Sequence, residues 1–116
     1  MKQEAAYVCT VKDQEDLKYL QDTLYVISGK WRPQVMLAIY NGNHRYREIA
    51  KSIPGITFKM LSKELKEMEM NKLVLREQDP DFPKTVTYNL TEYCASLYPL
   101  IQTMVKWAKS HREALK

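Results

Sequence analysis

Between residues 45 and 90 the apolar pattern changes period once, and turn residues mark the boundaries. "RYREIAKSI" puts Tyr46, Ile49 and Ile53 on one face of a short helix, and Pro54-Gly55 then forces a turn. "TFKMLSKELKEMEM" follows, with Thr57 as N-cap and Leu61, Leu65 and Met68 at i, i+4 and i+7 facing a core. "LVLRE" (73–77) and "TVTYNL" (85–90) are β-branched and alternating, and they flank "QDPDFPK". A helix, a tight turn, a helix and then a hairpin leave room for few architectures.

The flanks are helical too. After Asp13, a plausible N-cap with Glu15 and Asp16 in the first turn, Leu17, Leu20, Leu24 and Ile27 form a stripe that Gly29 ends. "KWRPQVMLAIYNGN" gives a second helix, with Pro33 in its first turn and Asn41-Gly42 closing it. From Thr91 onward Tyr93, Leu97, Leu100, Met104 and Trp107 keep a 3.6 period. Pro99 lies inside that pattern and predicts a kink or break. Residues 1–12 are expected to be a flexible arm, and 13–116 one domain.

Composition narrows the class. Three glycines and five prolines in 116 residues argue against a sandwich or barrel with many turns. The longest apolar run, "VMLAIY" (35–40), is far short of a membrane span, so no membrane association is expected. "MKQEAAYVCT" has no apolar signal-peptide core. Cys9 and Cys94, with no CxxC, fit a reducing cytoplasm better than a disulfide framework. Eighteen basic against 14 acidic side chains give a net charge of +4, which permits a nucleic-acid partner without demanding one.

The face of residues 57–70 opposite the core stripe carries Lys59, Ser62, Lys63 and Lys66. Lys59 and Lys63 are one turn apart, a like-charge pair that costs an isolated helix about 0.2–0.5 kcal/mol. A solvated face is one explanation, and an anion opposite it is the other. The context favours the second. A helix-turn-helix followed at once by a hairpin is a winged helix, whose second helix fits the major groove, where phosphates take ammonium groups. The expected fold is therefore α+β and mostly helical: a helix-turn-helix at about 45–70 with a two-stranded wing at about 73–90. Thr57, Lys59, Ser62 and Lys63 are candidates to reach base edges, and Arg45, Arg47, Lys59, Lys63, Lys66 and Lys84 to reach phosphate. In the wing, Asp79 and Asp81 at the tip repel phosphate, so Arg76 and Lys84 are the expected contacts.

"ISGKW" (27–31), "HRYREIAKSIPGITFKMLSKELKEME" (44–69), "LVLRE" (73–77) and "FPKTVTYNLTEYCASLYPLI" (82–101) together resemble the HxlR-type winged-helix transcriptional regulators of bacteria, relatives of the MarR type. The resemblance runs from about residue 20 to 111. It implies a recognition helix from about Thr57 to Met70, a wing of 73–78 and 84–90, and Lys84 against phosphate at the base of the wing. It also implies a two-fold homodimer built on helices at about 13–28 and 91–112. Leu17, Leu20, Leu24, Tyr98, Ile101, Val105 and Trp107 are the expected interface residues. The surplus aromatic area of Tyr19, Tyr25, Tyr98 and Trp107 agrees, since one small core cannot hide it all. The implied function is sequence-specific double-stranded DNA binding at a pseudo-palindromic operator. A winged-helix protein-interaction module without DNA is the alternative, supported by the acidic tip.

Three positions depart from the family pattern. Ser28 stands before Gly29 where the family has a glycine pair. Cys94 replaces a glycine in the first turn of the last helix. Lys72 replaces the glycine after the recognition helix, which predicts that Asn71 takes the left-handed conformation.

Some family members sense electrophiles or oxidants through a cysteine shortly before Gly-Lys-Trp. Cys9 lies 20 residues before Gly29, farther than usual, with Lys12 as its nearby cation, so a redox sensor and an inert thiol both stand open. Cys94 reads as buried filler. Met36, Met60, Met68 and Met104 read as interior, where a pocket for a small apolar effector is the other reading. His44 and His111 do not pair with the cysteines at metal-ligand spacing, and no cofactor or metal is expected. No nucleophile–base pair or Gly-rich loop suggests an enzyme.

Overall fold

A computed structural model describes residues 13–116. The expected arm of residues 1–12, with Cys9, lies outside the described residues. In chain order the elements are α1 (Gln14–Ile27), α2 (Arg32–Tyr40), α3 (Tyr46–Ser52), α4 (Phe58–Met70), β1 (Val74–Gln78), β2 (Val86–Leu90), α5 (Glu92–Ala95) and α6 (Tyr98–Ala114). This is the winged helix-turn-helix architecture.

Three helix starts are capped by a side chain. The Asp13 carboxylate accepts from the Asp16 N–H at 2.9 Å, and the Thr57 hydroxyl accepts from Met60 N–H at 3.1 Å. Thr91 works twice: its oxygen accepts from Cys94 N–H, and its proton goes to the Lys72 carbonyl at 2.6 Å, locking α5 to the end of α4. Between α3 and α4, Gly55 sits at φ +87°, a backbone region that L side chains rarely adopt. A Cβ there would lie 3.8 Å from the Trp31 ring, so φ and not space demands the glycine.

The core lies where α2, α3, α4 and the hairpin meet. Val35, Ile39, Ile49, Leu61, Met68 and Leu73 are its largest members, all essentially inaccessible. β1 and β2 pair antiparallel with Arg76 opposite Tyr88 and Val74 opposite Leu90. The segment before α3 adds a third edge: Arg45 bridges Thr87, and the Tyr88 N–H donates to the His44 carbonyl at 2.7 Å. The wing is thereby tied to the helix-turn-helix by main-chain bonds.

Two expectations are corrected and a third is met. The left-handed residue after α4 is Lys72, at φ 63°, while Asn71 stays at φ −89°. The helix closes with Lys72 N–H donating to Glu69 C=O and Leu73 N–H to Met68 C=O, a Schellman arrangement that needs its left-handed residue one position past Asn71. Met60 and Met104 are about two-fifths exposed and so are not interior, although Met36 and Met68 are. The break expected from Pro99 is present: the segment from Thr91 is two helices, with Ser96 and Leu97 between them and Pro99 in the first turn of α6, where it displaces no helical bond.

Neither α1 nor α6 buries a single side chain fully. Leu97, Tyr98 and Ile101 of the last segment touch the core, whereas Leu100, Met104 and Trp107 point outward. Every residue from Gln102 on is exposed. The radius of gyration is 18.0 Å, against about 13 Å for a compact chain of this length. Between α2 and α6 runs an open apolar groove of about 580 Å³, lined by Met36, Leu37, Tyr40, Ile101, Met104 and Val105 among others.

Candidate nucleic-acid interface

Because Leu61, Leu65 and Met68 fix which way α4 rolls, the opposite face is fixed as well. Helical spacing puts Lys59, Lys63, Lys66 and Met70 on it, and all four are exposed. Among the described residues the ion pairs are those of Arg32 with Glu64 and Glu67 and of Lys116 with Glu113. None involves these three lysines. Their charge faces solvent unneutralised.

Arg45 and Arg47 are exposed at the start of α3, and Arg76 and Lys84 are exposed on the hairpin. The hairpin tip is organised by Asp79, whose carboxylate accepts from the Asp81 and Phe82 N–H groups at 2.9 and 3.3 Å. Gln78 also donates its side-chain N–H to the Pro83 carbonyl. One aspartate is thus occupied in shaping the turn, and Asp81 and Phe82 project from it exposed.

Two of the proposed base-reading hydroxyls already have partners within the chain. Thr57 Oγ1 is spent on capping α4. Ser62 Oγ lies 2.7 Å from the Tyr46 hydroxyl, which in turn is 2.6 Å from the Phe58 carbonyl oxygen. Sequence reasoning placed Tyr46 inward and overlooked its hydroxyl. The signal was present, because a tyrosine at the edge of a core usually finds a partner for its O–H.

Arg32 was missed altogether. It is 2% exposed, and it holds α4 from the side away from Ser62. Its Nε donates to Glu64 at 3.1 Å, one terminal nitrogen to Glu67 at 2.8 Å, and the other to the Val26 and Tyr25 carbonyls at 3.0 and 3.4 Å. One guanidinium therefore joins α1, α2 and α4, and it occupies two of the three carboxylates of α4, leaving Glu69 exposed. A cation in the first turn of a helix opposes the macrodipole. That anomaly, with glutamates three apart on an otherwise lysine-bearing helix, was the legible clue.

Cys94 is fully buried, and desolvation raises its thiol pKa. It is inert filler, as expected. Tyr98, edge-on to Tyr40 with centroids 6.4 Å apart, is also raised, first by burial and then by its neighbours Cys94 and Tyr40. His111 stacks on Trp107 at 4.7 Å on the exposed part of α6.

A basic helix backed by a second helix and flanked by a hairpin defines the class of winged helix-turn-helix DNA-binding proteins. The chain belongs to the HxlR-like helix-turn-helix family, whose model matches residues 26–116. It is 36% identical over 104 residues to an uncharacterised HTH-type transcriptional regulator of Methanothermobacter thermautotrophicus, covering 87% of this chain and 79% of that one. Among solved structures it is similar to a MarR-family regulator from Enterococcus faecalis, with a TM-score of 0.76 and 28% identity over 91% of this chain and 94% of the other. It is also similar to the redox regulator HypR in its reduced form, with a TM-score of 0.71 and 35% identity over 84% and 96%. The protein is thus a transcriptional regulator of the helix-turn-helix type. No helix among the described residues is long and apolar enough to cross a membrane.

Proposed function

We propose that the protein acts as a cytoplasmic homodimer that binds a pseudo-palindromic operator in double-stranded DNA, with α4 of each copy in the major groove. The observation that carries this reading is the set of Lys59, Lys63 and Lys66 on the outward face of α4, none of them ion-paired. With Arg45, Arg47, Arg76 and Lys84 they supply phosphate contacts, while Lys59, Lys63, Ser62 and the rim at Thr57 meet base edges. The acidic tip at Asp81 stands away from the backbone. The two-fold axis runs along α1 and α6, with Leu17, Leu20, Leu24, Tyr98, Ile101, Val105 and Trp107 as the interface; of these Leu20, Leu24, Val105 and Trp107 are exposed in their own chain, and Leu17, Tyr98 and Ile101 half-buried. Two-fold symmetry then sets half-sites one helical turn, about 34–36 Å, apart. A redox or small-molecule effector ends binding, a reading supported by the likeness to HypR, with Cys9 as the candidate thiol.

The experiment is binding of the Lys59→Ala, Lys63→Ala double variant to an operator recovered from DNA upstream of the protein's own gene. The reading expects the fold to survive and affinity to fall. It also expects the slope of log K against log salt to drop by about two per half-site. Unchanged affinity at physiological salt would remove α4 from the interface and favour the protein-interaction module.

A further inference from the structure

On the flank of α4 two hydroxyl groups have a single arrangement of their protons. Tyr46 Oη is 2.6 Å from the Phe58 carbonyl oxygen and 2.7 Å from Ser62 Oγ. Oxygens that close require a hydrogen between them. The carbonyl has none to give, and a phenol has one. The tyrosine proton therefore goes to Phe58, and the proton between the two hydroxyls comes from Ser62. Ser62 is exposed, and toward anything outside the chain it presents lone pairs only.

The arrangement is held from two sides. The Tyr46 ring packs tilted against Phe58 with centroids 5.6 Å apart. Tyr46 opens α3, which is anchored in the core by Ile49. On the other side Ser62 follows Leu61, whose burial fixes the roll of α4. Neither oxygen can turn away without breaking one of two short hydrogen bonds.

We propose that Tyr46 is a positioning residue that makes Ser62 an obligate acceptor, so that the base Ser62 meets is adenine or cytosine. In the major groove these present an exocyclic amine, N6 or N4, whereas guanine O6 and N7 and thymine O4 are acceptors and repel an oxygen that has no proton to offer. The inference rests on α4 being the recognition helix.

The test is selection from a random-sequence duplex DNA library with the wild type, Ser62→Ala and Tyr46→Phe. The position at which Ser62→Ala loses its preference identifies the base pair that Ser62 meets. Every pair holds one adenine or cytosine, so the atom to test is its exocyclic amine: replacing that adenine by purine, or that cytosine by 2-pyrimidinone, should weaken the wild type more than Ser62→Ala. Tyr46→Phe keeps the ring, as far-UV circular dichroism would verify, but frees the serine proton. Discrimination against the reversed pair at that one position should then fall by on the order of fivefold in Kd, the worth of one net hydrogen bond. A merely structural tyrosine would weaken all sequences alike. Equal weakening of the wild type and Ser62→Ala by that base replacement overturns the inference, as does an unaltered profile in folded Tyr46→Phe. A wild-type motif that Ser62→Ala leaves intact overturns it too, while sparing α4 as the reader. Absence of any enriched motif overturns the DNA-binding reading itself.

Discussion

Replacing Lys72 by glycine should make the protein more stable. Lys72 sits at φ 63° because both its neighbours in the chain are committed. Its N–H closes α4 on Glu69, the next N–H closes on Met68, and its carbonyl accepts the Thr91 hydroxyl at 2.6 Å. Leu73 beyond it is fully buried against the core, so the residue cannot relax to a right-handed conformation without unseating β1. A left-handed L-residue costs about 1–2 kcal/mol, and glycine removes that while losing roughly 0.5–1 kcal/mol in extra backbone entropy. The exposed lysine side chain contributes no ion pair to offset the difference. The net gain is about 1 kcal/mol, close to 4 °C in Tm for a domain of this size. Urea unfolding at fixed protein concentration should show a higher midpoint with an unchanged slope. Asn71→Gly is the informative control. Asn71 is right-handed and its Nδ2 donates to the Glu67 carbonyl at 2.9 Å, so that change should destabilise. A Lys72→Gly protein no more stable than the wild type, or an Asn71→Gly protein that gains, would refute the reasoning.

Arg32→Met should cost about 3 kcal/mol, since removing one partner of a buried pair leaves Glu64 and Glu67 uncompensated. Arg32→Lys should rescue little of it, because one ammonium cannot reach the acceptors on both α1 and α4; chemical denaturation of both variants measures this. Stability should also fall in alkali. The Cys94 thiol pKa is raised in the folded state, so its contribution is complete below the ordinary thiol pKa of about 8.5 and is lost as pH rises through the folded value. Cys94→Ala should lose stability from the cavity but show a shallower alkaline decline, unless Tyr98 alone drives it. At the uncovered apolar face, Leu24→Glu with Val105→Glu should convert a dimer to monomer in sedimentation at unchanged helicity. Undisturbed mass would move the interface elsewhere.

What could be read before the coordinates, and what could not, divides along physical lines. Leu61, Leu65 and Met68 announced the inward face of α4 because a 3.6 period has one interpretation once a turn and a hairpin bound it, and the lysine face followed from the same geometry. Single-residue chemistry at element ends was harder. Whether Asn71 or Lys72 turns left-handed depends on which carbonyls the next two N–H groups reach, and that is settled by where Leu73 must be buried. Met60 and Met104 carry the same apolarity as Met36 and Met68; helical phase sets Met60 off the buried stripe of α4, and Met104 lies on α6, which buries no side chain fully. Arg32 and the Tyr46 hydroxyl each left a sign in the sequence, but not the identity of their partners, for a related reason. Their partners lie 32, 35 and 16 residues away, and local pattern gives no means of choosing those partners.

The central claim is that the unpaired lysines of α4 meet DNA. Purified protein should be bound to duplex DNA from upstream of its own gene and its neighbours, with scrambled duplexes as control, at two salt concentrations. Tight binding to one segment, weakening steeply with salt as phosphate neutralisation releases counterions, is the predicted result. Equally weak and nearly salt-independent binding to every duplex would contradict it.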